Sequence, residues 1–289
     1  MSARRKSAAP PTSSPAKAIE HFLRTGDHDV MCDAWPGSVL ERSRRGGAAL
    51  AKALVQEVHR LAPSPQAPDA MTGLDVQALT RSKVEPMVRG LFPRKEQDAV
   101  LALLKDSVVF LTPETIDGVL MRQGWLSTAW DLANLYLASV GAELLGEDAP
   151  HILGLSAETT CYVSMDYFSE EDPFADFIAH EVAHVFHNCK RILARLPEVR
   201  GREWLLDIEF SKRETFAYSC EAYSRIIARA KSAAERRALA DQFAGFGNAG
   251  GERVDQDEVA DAVRAACLAR NGWATIRNRC APSPSRRPL

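Results

Sequence analysis

Three of the seven histidines fall within eight residues, at His180, His184 and His187. The run His180-Glu181-Val182-Ala183-His184 is an HExxH pentapeptide. On a helix, four residues advance about 400° and 6 Å, so the two imidazoles project to one side, one turn apart. Two nitrogen donors so placed suit one zinc ion, at roughly 2.0–2.1 Å each. Glu181 lies about 100° round the helix, beside such an ion but off it. There its carboxylate can take a proton from a water that zinc activates and later pass it to a leaving amine. The chemistry implied is metal-assisted hydrolysis with Zn2+ as cofactor.

A catalytic zinc takes three protein ligands and keeps one position open. The long HExxHxxGxxH form does not continue here, because Cys189 and Lys190 follow Asn188 without its glycine. The third donor must come from elsewhere, and Glu214 and Glu221 are the candidates. Glu214 opens the run Glu214-Thr215-Phe216-Ala217-Tyr218, and Glu221 lies about two turns further along the same helical face. Ser211 and Glu214 also match a helix-capping box, a pattern the chain repeats at Ser232/Glu235 and Asp255/Glu258, and a capping glutamate would bend back from any metal.

HExxH followed by ETFAY resembles the gluzincins, the HExxH peptidases whose third ligand is a glutamate on a later helix. ETFAY is similar to the E-x-F-A-x-Y/W helix of the aminopeptidase branch and, more loosely, to the E-x-x-x-D helix of thermolysin. The resemblance covers the two helices, residues 173–226. It implies His180, His184 and Glu214 as zinc ligands, with Glu214 favoured over Glu221 on the ETFAY match. It further implies Glu181 as general base and then acid, and a peptide or protein as substrate. Twenty-nine residues separate His184 from Glu214, more than in either branch, and the aminopeptidase G-x-M-E-N loop is absent. An oxyanion stabiliser belongs beside the metal. Tyr218, Tyr223 and His151 are the candidates; Tyr218 stands where thermolysin-like proteins have an aspartate that orients a zinc histidine. His187, only about 20° off the face of His180, is expected to support the ligands or the local structure rather than bind. Asn188 carries a weaker signal. His21, His28 and His59 read as surface residues, and Asp207–Phe210 as a half-exposed strand or loop.

The elements that must position these groups can be read from caps and periodicity. Asp172 and Pro173 have the signature of a helix start, after which FADFIAHEVAHVFHNC runs without a breaker. Thr159–Phe168 reads as a strand, either an edge that pairs with an extended substrate above the HExxH helix or an ordinary core strand. Ser107–Thr112 reads as a second strand, and Thr112-Pro113-Glu114 as a helix start. Further helices are predicted at Pro15–Arg24, Val39–Leu61, Lys83–Gly90, Pro93–Lys105 and Trp130–Val140, with later ones beginning at Ser211, Ser232 and Asp255. The APSPQAPDA segment is a linker candidate. The predicted fold is α+β, predominantly helical, with a zincin-like core whose small sheet lies beside the HExxH helix. A tail at 1–16 and a helical region at 17–145 precede that core at 146–250, a C-terminal helix at 251–280 and a second tail at 281–289.

Composition bounds the alternatives. With 46% hydrophobic and 26% charged residues, the chain can build a substantial core, which excludes general disorder. No apolar run approaches the roughly 18 residues a membrane span needs. Lys+Arg 36 against Asp+Glu 38 gives a net charge of −2, so nucleic acid is not an expected partner. Six scattered cysteines and an N-terminus without a secretory apolar core predict reduced thiols in a cytoplasm. Two rival readings share the metal. One is a regulatory gluzincin-like protein that cleaves a single partner; the other is a non-catalytic structural zinc-binding helical protein.

Overall fold

The computed structural model describes residues 14–147, 149, 152–197, 202–246 and 254–282. In chain order its helices are α1 (Pro15–Thr25), α2 (Val39–Leu61), α3 (Val76–Leu91), α4 (Arg94–Leu104), α5 (Ile116–Arg122) and α6 (Leu126–Ser139). They continue as α7 (Phe177–Asn188), α8 (Arg213–Arg229), α9 (Ala233–Phe246), α10 (Gln256–Leu268) and α11 (Gly272–Cys280). The strands are β1 (Val108–Phe110), β2 (Gly154–Ala157) and β3 (Thr160–Val163), and they form one sheet in the order β1-β3-β2. The fold is thus a predominantly helical α+β one. Among the described residues no helix is long and apolar enough to cross a membrane. All six cysteines are buried and free.

The chain divides into two compact units. One draws on Met1–Met71, Phe110–Leu153 and Ser164–Asp166, the other on Thr72–Val109, Gly154–Val163 and Tyr167–Leu289. The chain passes between them more than once, so neither is a single continuous segment. In the first unit α2 packs against α1, α5 and α6. Gly26 ends α1 at φ 71°, and a Cβ there would come within 2.8 Å of the Trp130 ring. Glycine therefore serves both the left-handed cap and the close approach.

In the second unit α7 packs against α8, α3 and the β2–β3 hairpin. α9, α10 and α11 pack behind α8. The hairpin pairs Gly154 with Val163, Leu155 with Tyr162, Ser156 with Cys161 and Ala157 with Thr160. Its turn places Glu158 at φ 52°.

Several boundaries differ from the sequence reading. The Thr159–Phe168 strand stops at Val163, because the Ser164 hydroxyl accepts the Asp166 amide at 3.1 Å and a 3-10 turn follows over Met165–Phe168. β3 is also the central strand; the edge next to α7 is β2, which the sequence reading missed. Helix α7 begins at Phe177 with Asp176 as its cap, not at Asp172. Asp172 instead closes a turn by accepting the Phe174 amide at 2.7 Å. Likewise α5 starts at Ile116, since Thr112 and Thr115 are engaged in a turn ahead of it. Helix α3 starts at Val76, earlier than predicted, capped by Asp75.

Between α7 and α8 the chain runs out and back along itself. Leu206 N–H donates to Phe186 O at 2.7 Å, Leu205 N–H to Cys189 O at 2.9 Å, and Arg191 N–H to Glu203 O at 2.9 Å. Lys190 and Trp204 form the antiparallel bridge between them. The base of this excursion is anchored by Arg191, whose guanidinium forks onto Glu96 of α4 at 2.9 and 3.2 Å. Both side chains are buried, at 1% and 6% exposure. Removing one partner of a buried pair strands the other, so Glu96→Ala should lose about 3–5 kcal/mol of stability in urea titrations at neutral pH. The Arg191 hydrogen bond also holds the Glu96 carboxyl below the usual carboxylate range. That stabilisation is therefore complete above the ordinary value and lost as pH falls through the depressed one. Acid titration should accordingly show a smaller stability loss in Glu96→Ala than in the wild type.

Candidate metal centre

Two helices bring the predicted ligands together. Asp176 caps α7 by accepting the Ala179 amide at 3.3 Å. Ile178, Val182, Val185 and Phe186 bury the helix on its apolar sides, which fixes the direction of His180 and His184. A 3-10 turn over Phe210–Lys212 leads into α8, and Lys212 stands at its N-cap without a side-chain capping bond. Ser211 is therefore not the cap, and Glu214 is released from the capping role its sequence context allowed. At the other two sites the capping pattern holds. The Glu235 amide donates to Ser232 Oγ at 3.1 Å and the Glu258 amide to Asp255 Oδ1 at 3.1 Å.

The Nε2 atoms of His180 and His184 face each other at 3.1 Å. Glu214 Oε2 lies 3.9 Å from the first and 3.7 Å from the second. A point equidistant from the three atoms lies about 2.1 Å from each, a coordination-bond length for nitrogen and oxygen donors. His180, His184 and Glu214 thus form a group that can hold a metal ion.

The far nitrogens of the two imidazoles explain why the near ones are free to accept a cation. His180 Nδ1–H donates to Glu221 Oε2 at 2.9 Å, and Glu221 Oε1 accepts the Asp176 amide at 2.8 Å. His184 Nδ1–H donates to His187 Nε2 at 3.0 Å, while His187 Nδ1–H donates to Asn188 Oδ1 at 3.2 Å. Arg213 donates to the same Asn188 oxygen at 3.3 Å. Each chain of donors sets the imidazole tautomer. His184 Nε2 is left with a free lone pair 3.1 Å from His180 Nε2, which offers a second lone pair once a cation displaces its proton, beside a carboxylate. Such a donor set fits a cation.

No family model matches the chain, and no curated protein or solved structure matches it either. The geometry of the centre therefore carries its chemistry alone.

Electrostatics agree with a site built around positive charge. Burial pulls the His180 imidazole down, but the Glu221 hydrogen bond and charge, with Glu181 and Glu214, push it up to about 9. Burial and the neighbouring His180 and His187 hold His184 well below the usual imidazole range. Burial, aided by Arg213, lowers His187 to about 4, so it is a neutral acceptor for His184 at pH 7. Burial raises Glu181 to about 7 against the opposing pull of His180 and Ser156.

Glu181 lies beside the three donors without being one of them, and β2 backs it. A Cβ at Gly154 would come within 2.7 Å of Glu181 Cγ and 2.8 Å of its Oε1. Glycine there leaves the space the carboxylate occupies. The Ser156 side chain, two residues along the strand, lies near enough to that carboxylate to favour its charged form.

Of the predicted residues, Tyr218 comes to the centre: its ring meets His180 edge-on, with centroids 4.5 Å apart. Tyr223 packs instead against Trp273 at 4.9 Å, and His151 lies outside the described residues. Glu221, the alternative third donor, reaches the opposite nitrogen of His180 from the one Glu214 approaches. His59 is exposed and pairs with Asp117 at 2.8 Å, whereas His21 and His28 are half-buried. Gly154, Ser156 and Asp176 were missed by sequence reasoning. For Ser156 and Gly154 no local signal existed, since their roles depend on the register of a short strand. Asp176 had one, an Asp immediately ahead of an apolar helical run.

Proposed function

We propose that the protein is a zinc-dependent metallopeptidase. The observation that carries this reading is a three-donor set with a further carboxylate, Glu181, buried beside it and not among the donors. Structural zinc sites are closed by four protein ligands, whereas catalytic ones use three and leave a position for water or substrate. Two imidazoles and one glutamate are a ligand set that catalytic zinc sites use. When bound, zinc supplies the Lewis acid that polarises a scissile carbonyl and acidifies a water molecule.

The rest of the work falls to the chain. Glu181 accepts the proton of the attacking water at its carboxylate and delivers it to the leaving amine, the two halves of general base and acid catalysis. The space left by Gly154 and the neighbouring Ser156 side chain accommodate that carboxylate. The Tyr218 hydroxyl donates to the oxyanion that develops beside the ligands. An extended peptide or protein substrate runs along β2. In an antiparallel pair, Leu155 and Ala157 bond inward to β3 and leave the backbone groups of Gly154 and Ser156 turned to the open edge. The free buried cysteines fit a cytoplasmic setting.

The test is hydrolysis of unfolded casein and of mixed peptide libraries by the zinc-loaded, chelated and reloaded chain. Cleavage should vanish on chelation and return with zinc. A protein that binds one zinc ion and cuts no peptide bond in any library is a structural metal protein, and the proposal fails.

A further inference from the structure

A buried ionic network lies behind His180, on the side away from Glu214, and hydrolysis as described makes no use of it. Its outermost member is Lys83 on α3, whose Nζ donates to Asp176 Oδ2 at 2.7 Å. The two side chains are 15% and 0% exposed. Asp176 is a junction. Its Oδ1 caps α7, its Oδ2 also accepts the Ser224 hydroxyl of α8 at 3.2 Å, and its backbone N–H donates to Glu221 Oε1 at 2.8 Å. Glu221 Oε2 then takes the His180 Nδ1–H at 2.9 Å. Lys83 is thus linked to a metal-facing imidazole through Asp176, by its carboxylate on one side and its backbone N–H on the other, and the Glu221 carboxylate; the links are 2.7, 2.8 and 2.9 Å long.

The charges make that order matter. Asp176 and Glu221 bring two carboxylates into the same buried space, and Lys83 is the cation that meets Asp176 there. A buried carboxylate deprived of its counter-charge is driven towards water. A carboxylate drawn away from Lys83 also leaves the Ala179 amide it caps, and the backbone at the start of α7, whose Asp176 N–H fixes Glu221 Oε1, then loses its anchor. His180 would then keep its place on the helix but lose its orientation.

We propose that Lys83 is a positioning residue of the metal centre, acting through Asp176 and Glu221 to fix the rotation of the His180 imidazole and hence the affinity for the ion. This rests on the metal reading above. Partners one step beyond the ligands typically change metal affinity 10–100-fold, so an effect at the lower end, about 10-fold, is expected from Lys83, which stands two steps further out than Glu221.

The experiment uses the full chain and compares wild type with Lys83→Met, Lys83→Arg, Asp176→Ser and the Lys83→Met/Asp176→Ser double variant. Zinc affinity is read by competition with a chromophoric chelator, ligand geometry by the absorption bands of the cobalt-loaded protein, and folding by circular dichroism. Lys83→Met should weaken zinc binding about 10-fold and shift the cobalt bands, while Lys83→Arg restores both. Asp176→Ser retains a capping hydroxyl and should show the same loss with its helix intact, which keeps the test open if Lys83→Met does not fold. The double variant should be no worse than the worse single one, as residues in one network are not additive. A lowered melting temperature with unchanged affinity and unchanged cobalt bands would mean that Lys83 only braces the fold, and would overturn the proposal. If the wild type binds neither ion, the metal reading falls and this inference with it; if the wild type binds and Lys83→Met binds equally, only the role of Lys83 falls.

Discussion

Glu181→Gln should bind zinc like the wild type and lose roughly a hundred- to ten-thousand-fold in kcat/KM, the range that general acid–base groups contribute. Glutamine has the same shape as glutamate and fits the space that Gly154 leaves. What it cannot do is accept and return a proton. Metal content by emission spectroscopy, measured beside peptide hydrolysis, separates the outcomes. Hydrolysis retained by a zinc-loaded Glu181→Gln protein would remove Glu181 from the chemistry. Loss of zinc together with activity would make Glu181 part of the metal's own support.

The second large effect concerns the two glutamates of α8, which local sequence presents as rivals. Glu214→Ala deletes one of three donors and should leave a protein that loses its zinc on dialysis. Glu221→Ala removes the acceptor of His180 Nδ1–H and of the Asp176 amide but no donor to the metal, and a loss of about 10–100-fold in affinity is expected. Equilibrium dialysis against graded chelator concentrations ranks the two. The reverse order, with zinc firmly held by Glu214→Ala and lost by Glu221→Ala, would exchange their roles. The assignment follows from which nitrogen of His180 each carboxylate approaches: Nε2 at 3.9 Å for Glu214 and Nδ1 at 2.9 Å for Glu221.

This distinction marks the border of what the sequence made legible. HExxH fixed a pair of imidazoles on one helical face because the 3.6-residue period is a local property. Helix α2 was likewise read to its ends, Val39–Leu61. Glu214 was legible as a candidate, yet choosing it over Glu221 required the crossing of α7 and α8, which no local pattern encodes. The Ser211 capping box misled in the same way, since a 3-10 turn ahead of α8 moved the helix start by two residues. β2 escaped detection because four residues containing a glycine and an alanine, none of them fully buried, show no alternation of polar and apolar side chains. The strand-like run that did attract notice, Thr159–Phe168, is rich in β-branched and aromatic residues, but the Ser164 turn cut it short. Lys83 and Asp176 are 93 positions apart, and their contact belongs to tertiary structure alone.

The excursion between α7 and α8 bears on how such a centre tolerates change. Twenty-nine residues join His184 to Glu214, and an unstructured tether of that length would leave the second helix free to wander. The paired backbone at Cys189–Leu205 and Arg191–Glu203 short-circuits it, so the spacing of the two helices is set by a ladder at the base and not by the count of residues beyond. Insertions or deletions past that ladder need not alter the donor triangle. The excursion is therefore a place where the chain can diversify in length and surface chemistry while the donors it spans stay under unchanged constraint.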